Sequence, residues 1–117
     1  MKEDLELKNL DQYRGTEQYF CNPLFKEINY TDGVKYVSDN GYAWLVTDIL
    51  AVIKGDRKVK TEPFLSIEFT QEDEKGKVVI GDGNGVVLYR QMYKYTSAKS
   101  NVGFFYTDQV LMLKGEY

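Results

Sequence analysis

The chain has 117 residues with a formal net charge of −3, and 43% of them are hydrophobic and 28% charged. This length predicts one domain around a single hydrophobic core, and the acidic balance disfavours a protein that binds phosphate backbones. The chain has no histidine and one cysteine, which excludes imidazole catalysis, histidine-ligated metals and a structural zinc site within one chain.

Two further absences predict a cytoplasmic protein without a membrane partner. No run of about 18 apolar residues is present, and the acidic N-terminal sequence lacks the apolar core of a signal peptide. Cys21 has no second cysteine with which to form an internal disulfide. We therefore expect Cys21 to be a small, buried hydrophobic residue.

The first part of the chain predicts short helices. Leucines among acids and lysines favour an amphipathic helix over residues 5–13, ending near Gly15. Residues 15–30 show no clean period, although Asn22-Pro23 marks a turn within them. Thr31 or Asp32 is expected to cap the next helix, because a short side-chain oxygen accepts hydrogen bonds from the free amides of the first turn.

The same helical region contains a glycine break and a second, longer helix. Asn40-Gly41 is expected to end the first of the two helices, since glycine readily adopts the left-handed conformation found there. A second helix then spans about residues 42–53 and ends before Gly55, with an apolar stripe of Leu45, Ile49, Val52 and Ile53. Trp44 is expected to lie in the contact between this helix and the sheet or the Gly15–Tyr19 segment.

After Pro63 the hydrophobic period changes from helical to alternating. Residues 64–70, 78–80 and 86–95 read as strands, and 104–106 with 110–113 as a final hairpin. The sequence from Gly81 to Gly85 predicts a tight turn, because Asp-Gly and Asn-Gly supply positive φ angles. It resembles a calcium loop only weakly, since no closing acid follows.

These elements predict an α+β fold: N-terminal short helices packed on a C-terminal antiparallel sheet of four or five strands. The whole chain, residues 1–117, is expected to form a single domain, with residues 1–55 as a mainly helical half and residues 63–117 as a β half.

Three acidic residues in apolar surroundings offer the raw material for catalysis. Glu17, Asp32 and Asp48 could support a carboxylate-dependent, Mg²⁺-assisted hydrolase if their side chains converge. Capping or local hydrogen bonding is the simpler explanation for Asp32 and Asp48.

An aromatic row on the longest predicted strand offers a different alternative. Tyr89, Tyr93 and Tyr95 alternate on one face together with Gln91, as in sheets that stack single-stranded nucleic acid. Arg90 and Lys94 fall on the opposite face, so packing within the fold is favoured over binding to bases.

Three sequence blocks carry a resemblance to a known group of proteins. The blocks are Gly15-Thr16-Glu17 with Tyr19, Tyr30-Thr31-Asp32-Gly33-Val34-Lys35-Tyr36, and Tyr42-Ala43-Trp44-Leu45 with Asp48. In these the chain resembles a family of small bacterial proteins, a domain of unknown function often carried by plasmids and phages. The resemblance implies an origin in a mobile element and no particular activity.

The combined evidence predicts a non-enzymatic protein-binding module, an adaptor or inhibitor, with no cofactor and no metal. The excess of tyrosine suits an interface, and another protein or a second copy of the chain is the expected partner. Hydrolysis and single-stranded nucleic-acid binding are the two alternatives. The residues expected to carry binding are Glu17, Tyr19, Asp32, Trp44 and Asp48.

Overall fold

The computed structural model describes residues 18–117. The predicted helix over residues 5–13 and the candidate residue Glu17 lie outside this part. In chain order the described elements are β1 (Phe20–Asn22), β2 (Phe25–Tyr30), α1 (Asp32–Val37), a π-helical segment (Ser38–Tyr42), α2 (Ala43–Gly55), β3 (Phe64–Glu72), β4 (Lys75–Gly81), β5 (Val87–Tyr93), β6 (Val102–Thr107), β7 (Val110–Leu113) and a C-terminal 3₁₀ turn (Lys114–Glu116).

The strands form one mixed sheet of seven, in the order β1-β2-β7-β6-β3-β4-β5. All neighbours pair antiparallel except β2 and β7, which are parallel. The α+β class is therefore confirmed. The prediction of N-terminal helices packed on an antiparallel sheet of four or five strands is wrong. Residues 20–30 form a hairpin that extends the sheet. Only Ile28 is buried within β2, so this strand shows no apolar alternation that would reveal it.

The helical region follows the predicted capping chemistry. Thr31 is the N-cap of α1, and its hydroxyl accepts a hydrogen bond from the Val34 amide at 3.4 Å. Gly41 adopts a φ of 99° and separates α1 from α2, as expected of a residue without a Cβ. The second helix is confirmed but runs two residues further than predicted, to Gly55.

The strands after Pro63 are confirmed with changes at their ends. β5 ends at Tyr93, so Tyr95 lies outside the strand to which it was assigned. Glycines at positions 83 and 85 have positive φ in the turn before β5, as predicted. The β3–β4 and β6–β7 turns use non-glycine residues with positive φ, Asp73-Glu74 and Asp108-Gln109. Each pair begins with aspartate, one of the residue types that adopt this conformation more readily than most.

The core lies between α2 and one face of the sheet. Leu45, Ile49 and Leu50 of the helix are fully buried against sheet residues such as Ile67 and Phe104. Cys21, in contrast, is exposed, so its expected burial is wrong. It lies in β1, a three-residue strand at the edge of the sheet.

Side chains of α2 contact both flanks of the sheet. On one flank Lys54 Nζ lies 2.9 Å from Glu27 Oε1 of β2, and on the other the Tyr93 hydroxyl of β5 donates to Asp48 at 2.8 Å. In residues 18–117 no helix has the length and apolar character needed to cross a membrane.

Candidate functional site

A cavity of about 290 Å³ opens between α2 and the β4–β5 flank of the sheet. Its volume is near the lower end of the range for small-ligand pockets and suits one long side chain or a small molecule. The cavity is lined by four residues of α2, two of β4 and three of β5: Asp48, Ile49, Ala51, Val52, Val78, Ile80, Tyr89, Gln91 and Tyr93.

Helical and strand periodicity together place these side chains. Asp48 and Val52 are one turn apart on α2 and so share a face. On β5 the alternate residues Tyr89, Gln91 and Tyr93 point to that helix, opposite Ile80, Val78 and Gly76 of β4 respectively. The result is an apolar floor with polar groups contributed by α2 and β5.

The polar groups of the cavity are linked in two pairs. The Tyr93 hydroxyl donates to Asp48 Oδ2 at 2.8 Å, and the Tyr89 hydroxyl donates to Gln91 Oε1 at 2.9 Å. Burial, and then the hydrogen bond to Asp48, raises the pKa of Tyr93 well above the ordinary value of 10.0. Tyr93 is therefore a neutral donor at physiological pH. Asp48 is the single charged residue among the lining residues.

Trp44 packs against Tyr93, one of the residues that line this cavity. Its ring packs edge-on against Tyr93 of β5 and Phe69 of β3, with centroid distances of 5.2 and 5.8 Å. Its Nε1 donates to the Gly41 carbonyl at 3.0 Å. The predicted position of Trp44 between the second helix and the sheet is confirmed, although the ring is half-buried rather than fully enclosed.

The other predicted binding residues lie elsewhere. Asp32 lines a separate cavity with Lys35 and Asp39, and Tyr19 is an exposed residue beside a third cavity, near Glu116. The structure thus places Asp48 and Trp44 together at the β5 flank and does not bring Asp32 to them. Within residues 18–117 no group of three or more acidic or cysteine side chains could hold a metal ion.

Strand β5 lies at one edge of the sheet formed by the described residues. Among the described strands it pairs with β4 alone, so alternate backbone N–H and C=O groups point away from the sheet. Arg90 is the single charged residue in its sequence, Val-Leu-Tyr-Arg-Gln-Met-Tyr. Met92 is 62% exposed and Val87 is exposed as well. This edge runs along the same strand that supplies the tyrosines of the cavity.

Sequence reasoning missed Tyr89, Gln91 and Tyr93 as parts of a site with Asp48. Their alternation was visible and indicated a shared face. What it could not indicate was that α2 lies over this face, since Asp48 and Tyr93 are 45 positions apart.

A solved structure of a protein of unknown function from Enterococcus faecalis superposes with a TM-score of 0.46 at 17% sequence identity, over 64% of this chain and 77% of that one. No curated protein matches the sequence significantly. A family model described as a family of unknown function, DUF6876, matches residues 4–117. The chain belongs to this family of unknown function.

Proposed function

We propose that the protein is a non-enzymatic binding module that captures an extended segment of another protein along β5. The observation that carries this proposal is a seven-residue strand that lies at an edge of the sheet in residues 18–117 and also forms a wall of a cavity. Added strands gain affinity from main-chain hydrogen bonds and specificity from pockets that accept alternate side chains. β5 offers both features side by side.

The two edges of the described sheet differ in their suitability for such pairing. β1 has three residues and an irregular register with β2, and short, irregular strands are poor templates for an added strand. β5 is more than twice as long, contains no proline and carries one charge. Its irregularity in pairing with β4 is confined to the beginning, near Gly81. The β5 edge is therefore the better template.

The two alternatives from the sequence lack comparable support. Asp32 and Asp48 line different cavities, and Asp48 is bonded to a tyrosine rather than to a second acid. Tyr89 and Tyr93 face α2 instead of forming an open platform for bases. No specific contact among the described residues favours hydrolysis or base stacking.

A random peptide library displayed on phage tests the proposal, with NMR to locate the bound peptides. Selected peptides are expected to perturb the backbone amides of Val87–Tyr93 more than those of β1. Met92→Lys should weaken their binding, because a lysine on an edge strand opposes strand addition. Leu24→Lys is the matched control: Leu24 is 78% exposed, lies in the β1–β2 turn and should have no effect.

Two results would contradict the proposal. The selected peptides could perturb amides elsewhere, or Met92→Lys could bind them as tightly as the Leu24→Lys control does. A second copy of the chain is the competing occupant of the edge. Sedimentation at increasing protein concentration would reveal such self-association as a dimer. Met92→Lys would dissociate this dimer, and Leu24→Lys would not.

A further inference from the structure

We infer that the cavity beside β5 binds the cationic side chain of a lysine or arginine in the captured segment. This inference rests on the proposed function and specifies the chemistry of the partner. It comes from three properties of the cavity walls: the sign of the charge, the aromatic rings, and the apolar floor.

The charge favours a cation. Asp48 contributes a carboxylate, and none of the nine lining residues is a lysine or an arginine. The Tyr93 hydroxyl occupies one carboxylate oxygen, Oδ2, and the carboxylate keeps further acceptor positions. An acidic side chain would be repelled at this place, whereas an ammonium or guanidinium group would be attracted.

The rings and the floor suit the rest of a basic side chain. Tyr89 and Tyr93 stand on either side of Gln91, and the faces of such rings attract cations that approach within about 6 Å of the centroid. Below them Ile49, Val52, Val78 and Ile80 form an apolar surface. Lysine and arginine carry apolar stems that pack on such surfaces while their charged ends reach polar groups.

The geometry of strand addition delivers a side chain to this position. In an added strand, alternate residues share the sheet face of Tyr89, Gln91 and Tyr93. Side chains on neighbouring strands stand about 4.5–5.5 Å apart at their Cβ atoms. A basic residue next to Gln91 would therefore start one strand away from the tyrosines and extend inward over them to Asp48. A short side chain would not span this distance.

NMR titration with blocked amino acids tests the cavity without the peptide edge. The probes are N-acetyl-lysine methylamide and N-acetyl-arginine methylamide, with N-acetyl-norleucine methylamide as the uncharged control of similar length. The two cationic probes are expected to shift resonances of Asp48, Tyr89 and Tyr93, and to bind more weakly as salt is raised. Norleucine binding as tightly as lysine would overturn the inference.

A charge-removing variant provides the second arm. Asp48→Asn keeps an oxygen that can accept from Tyr93 and should preserve the fold, which the amide spectrum checks. It is expected to weaken binding of the cationic probes about fivefold, the size of one partly screened ion pair. Asp73→Asn removes the same charge from the β3–β4 turn, where asparagine tolerates the positive φ, and should leave binding unchanged. Equal effects of the two variants would contradict a site at Asp48.

The phage-selected peptides separate this inference from the proposed function. Peptides that bind β5 without a basic residue, and whose affinity Asp48→Asn does not change, would refute the cation site and leave edge binding intact. Cationic probes that bind at Asp48 while no peptide binds β5 would refute the proposed function and leave the cation site intact. Selected peptides that contain lysine or arginine and lose affinity in Asp48→Asn are the expected result.

Discussion

Glu116 of the C-terminal 3₁₀ turn is expected to stabilise the start of helix α1. Its Oε1 accepts hydrogen bonds from the Thr31 hydroxyl at 2.6 Å and the Leu113 amide at 2.8 Å. Its Oε2 accepts from the Gly33 amide at 3.2 Å. Gly33 is needed for this approach, because a Cβ there would lie 2.7 Å from Glu116 Oε1. The carboxylate thus joins α1, β7 and the C-terminal turn.

The expected magnitude follows from the number of bonds and their setting. A hydrogen bond to a charged acceptor contributes about 1.5–3 kcal/mol, but the three bonds share one partly exposed carboxylate and water replaces part of them. Glu116→Ala should therefore lower the free energy of unfolding by about 3 kcal/mol, less than the sum of three bonds. Glu116→Gln keeps one carbonyl acceptor and should lower it by about 1–2 kcal/mol.

Urea denaturation measured by Trp44 fluorescence provides the assay, since the half-buried ring reports on the helix–sheet contact. Glu72→Gln, at an exposed position at the end of β3, is the control for loss of one negative charge and should leave the midpoint nearly unchanged. A double-mutant cycle with Thr31→Val should give a coupling of about 1 kcal/mol for the Thr31–Glu116 bond. A Glu116→Ala midpoint equal to that of the control, or a coupling of zero, would refute the reasoning.

Three further predictions concern the aromatic residues. Tyr42→Phe should lower the free energy of unfolding by about 1–3 kcal/mol in urea denaturation, because the buried hydroxyl accepts hydrogen bonds from the amides of Lys99 and Ser100 at 3.2 and 3.1 Å. The control Tyr95→Phe changes a residue that is 69% exposed and should have no such effect. Trp44→Ala should lower the free energy of unfolding by about 2–4 kcal/mol, a range centred below the roughly 3–5 kcal/mol of a fully enclosed tryptophan, and an unchanged melting temperature would contradict its packing role. Burial raises the pKa of Tyr30, Tyr93 and Tyr106 above 10.0. The contribution of these phenols to the free energy of unfolding is therefore fully present below pH 10 and is lost as pH rises through their pKa values in the folded state. Spectrophotometric titration at alkaline pH should then show these three phenols ionising late and together with unfolding, whereas early and gradual ionisation would speak against their burial.

The parts of the fold that the sequence predicts are those governed by local chemistry. Thr31 caps α1 because its own hydroxyl reaches the amide three residues on. Gly41 ends the first helical piece because a positive φ is needed there. The strands of the β3–β4–β5 meander alternate because one face meets the core. Each of these features depends on residues that are neighbours in the chain.

The parts that the sequence does not predict depend on pairing between distant residues. β2 lies beside β7 in parallel, with Tyr30 opposite Leu111, and nothing in residues 25–30 indicates this partner. Cys21 is exposed because β1 is an edge strand with few neighbours. The cavity depends equally on distance in sequence, since its carboxylate comes from α2 and its tyrosines come from β5.

In residues 18–117 the edge position of β5 is a consequence of strand order rather than of the composition of β5. The meander from β3 to β5 grows outward in one direction, and a next strand could have continued it beside β5. Instead the chain crosses back through residues 94–101, and β6 pairs on the other side of β3. Tyr42 binds two amides of this crossing segment, and the Thr96 amide donates to the Glu74 carbonyl of the β3–β4 turn. These contacts fix the return path and leave β5 open along its outer side in the described part of the chain. The residues that keep the edge free are therefore distinct from those that would bind a partner, so Tyr42→Phe should alter stability while Asp48→Asn alters recognition.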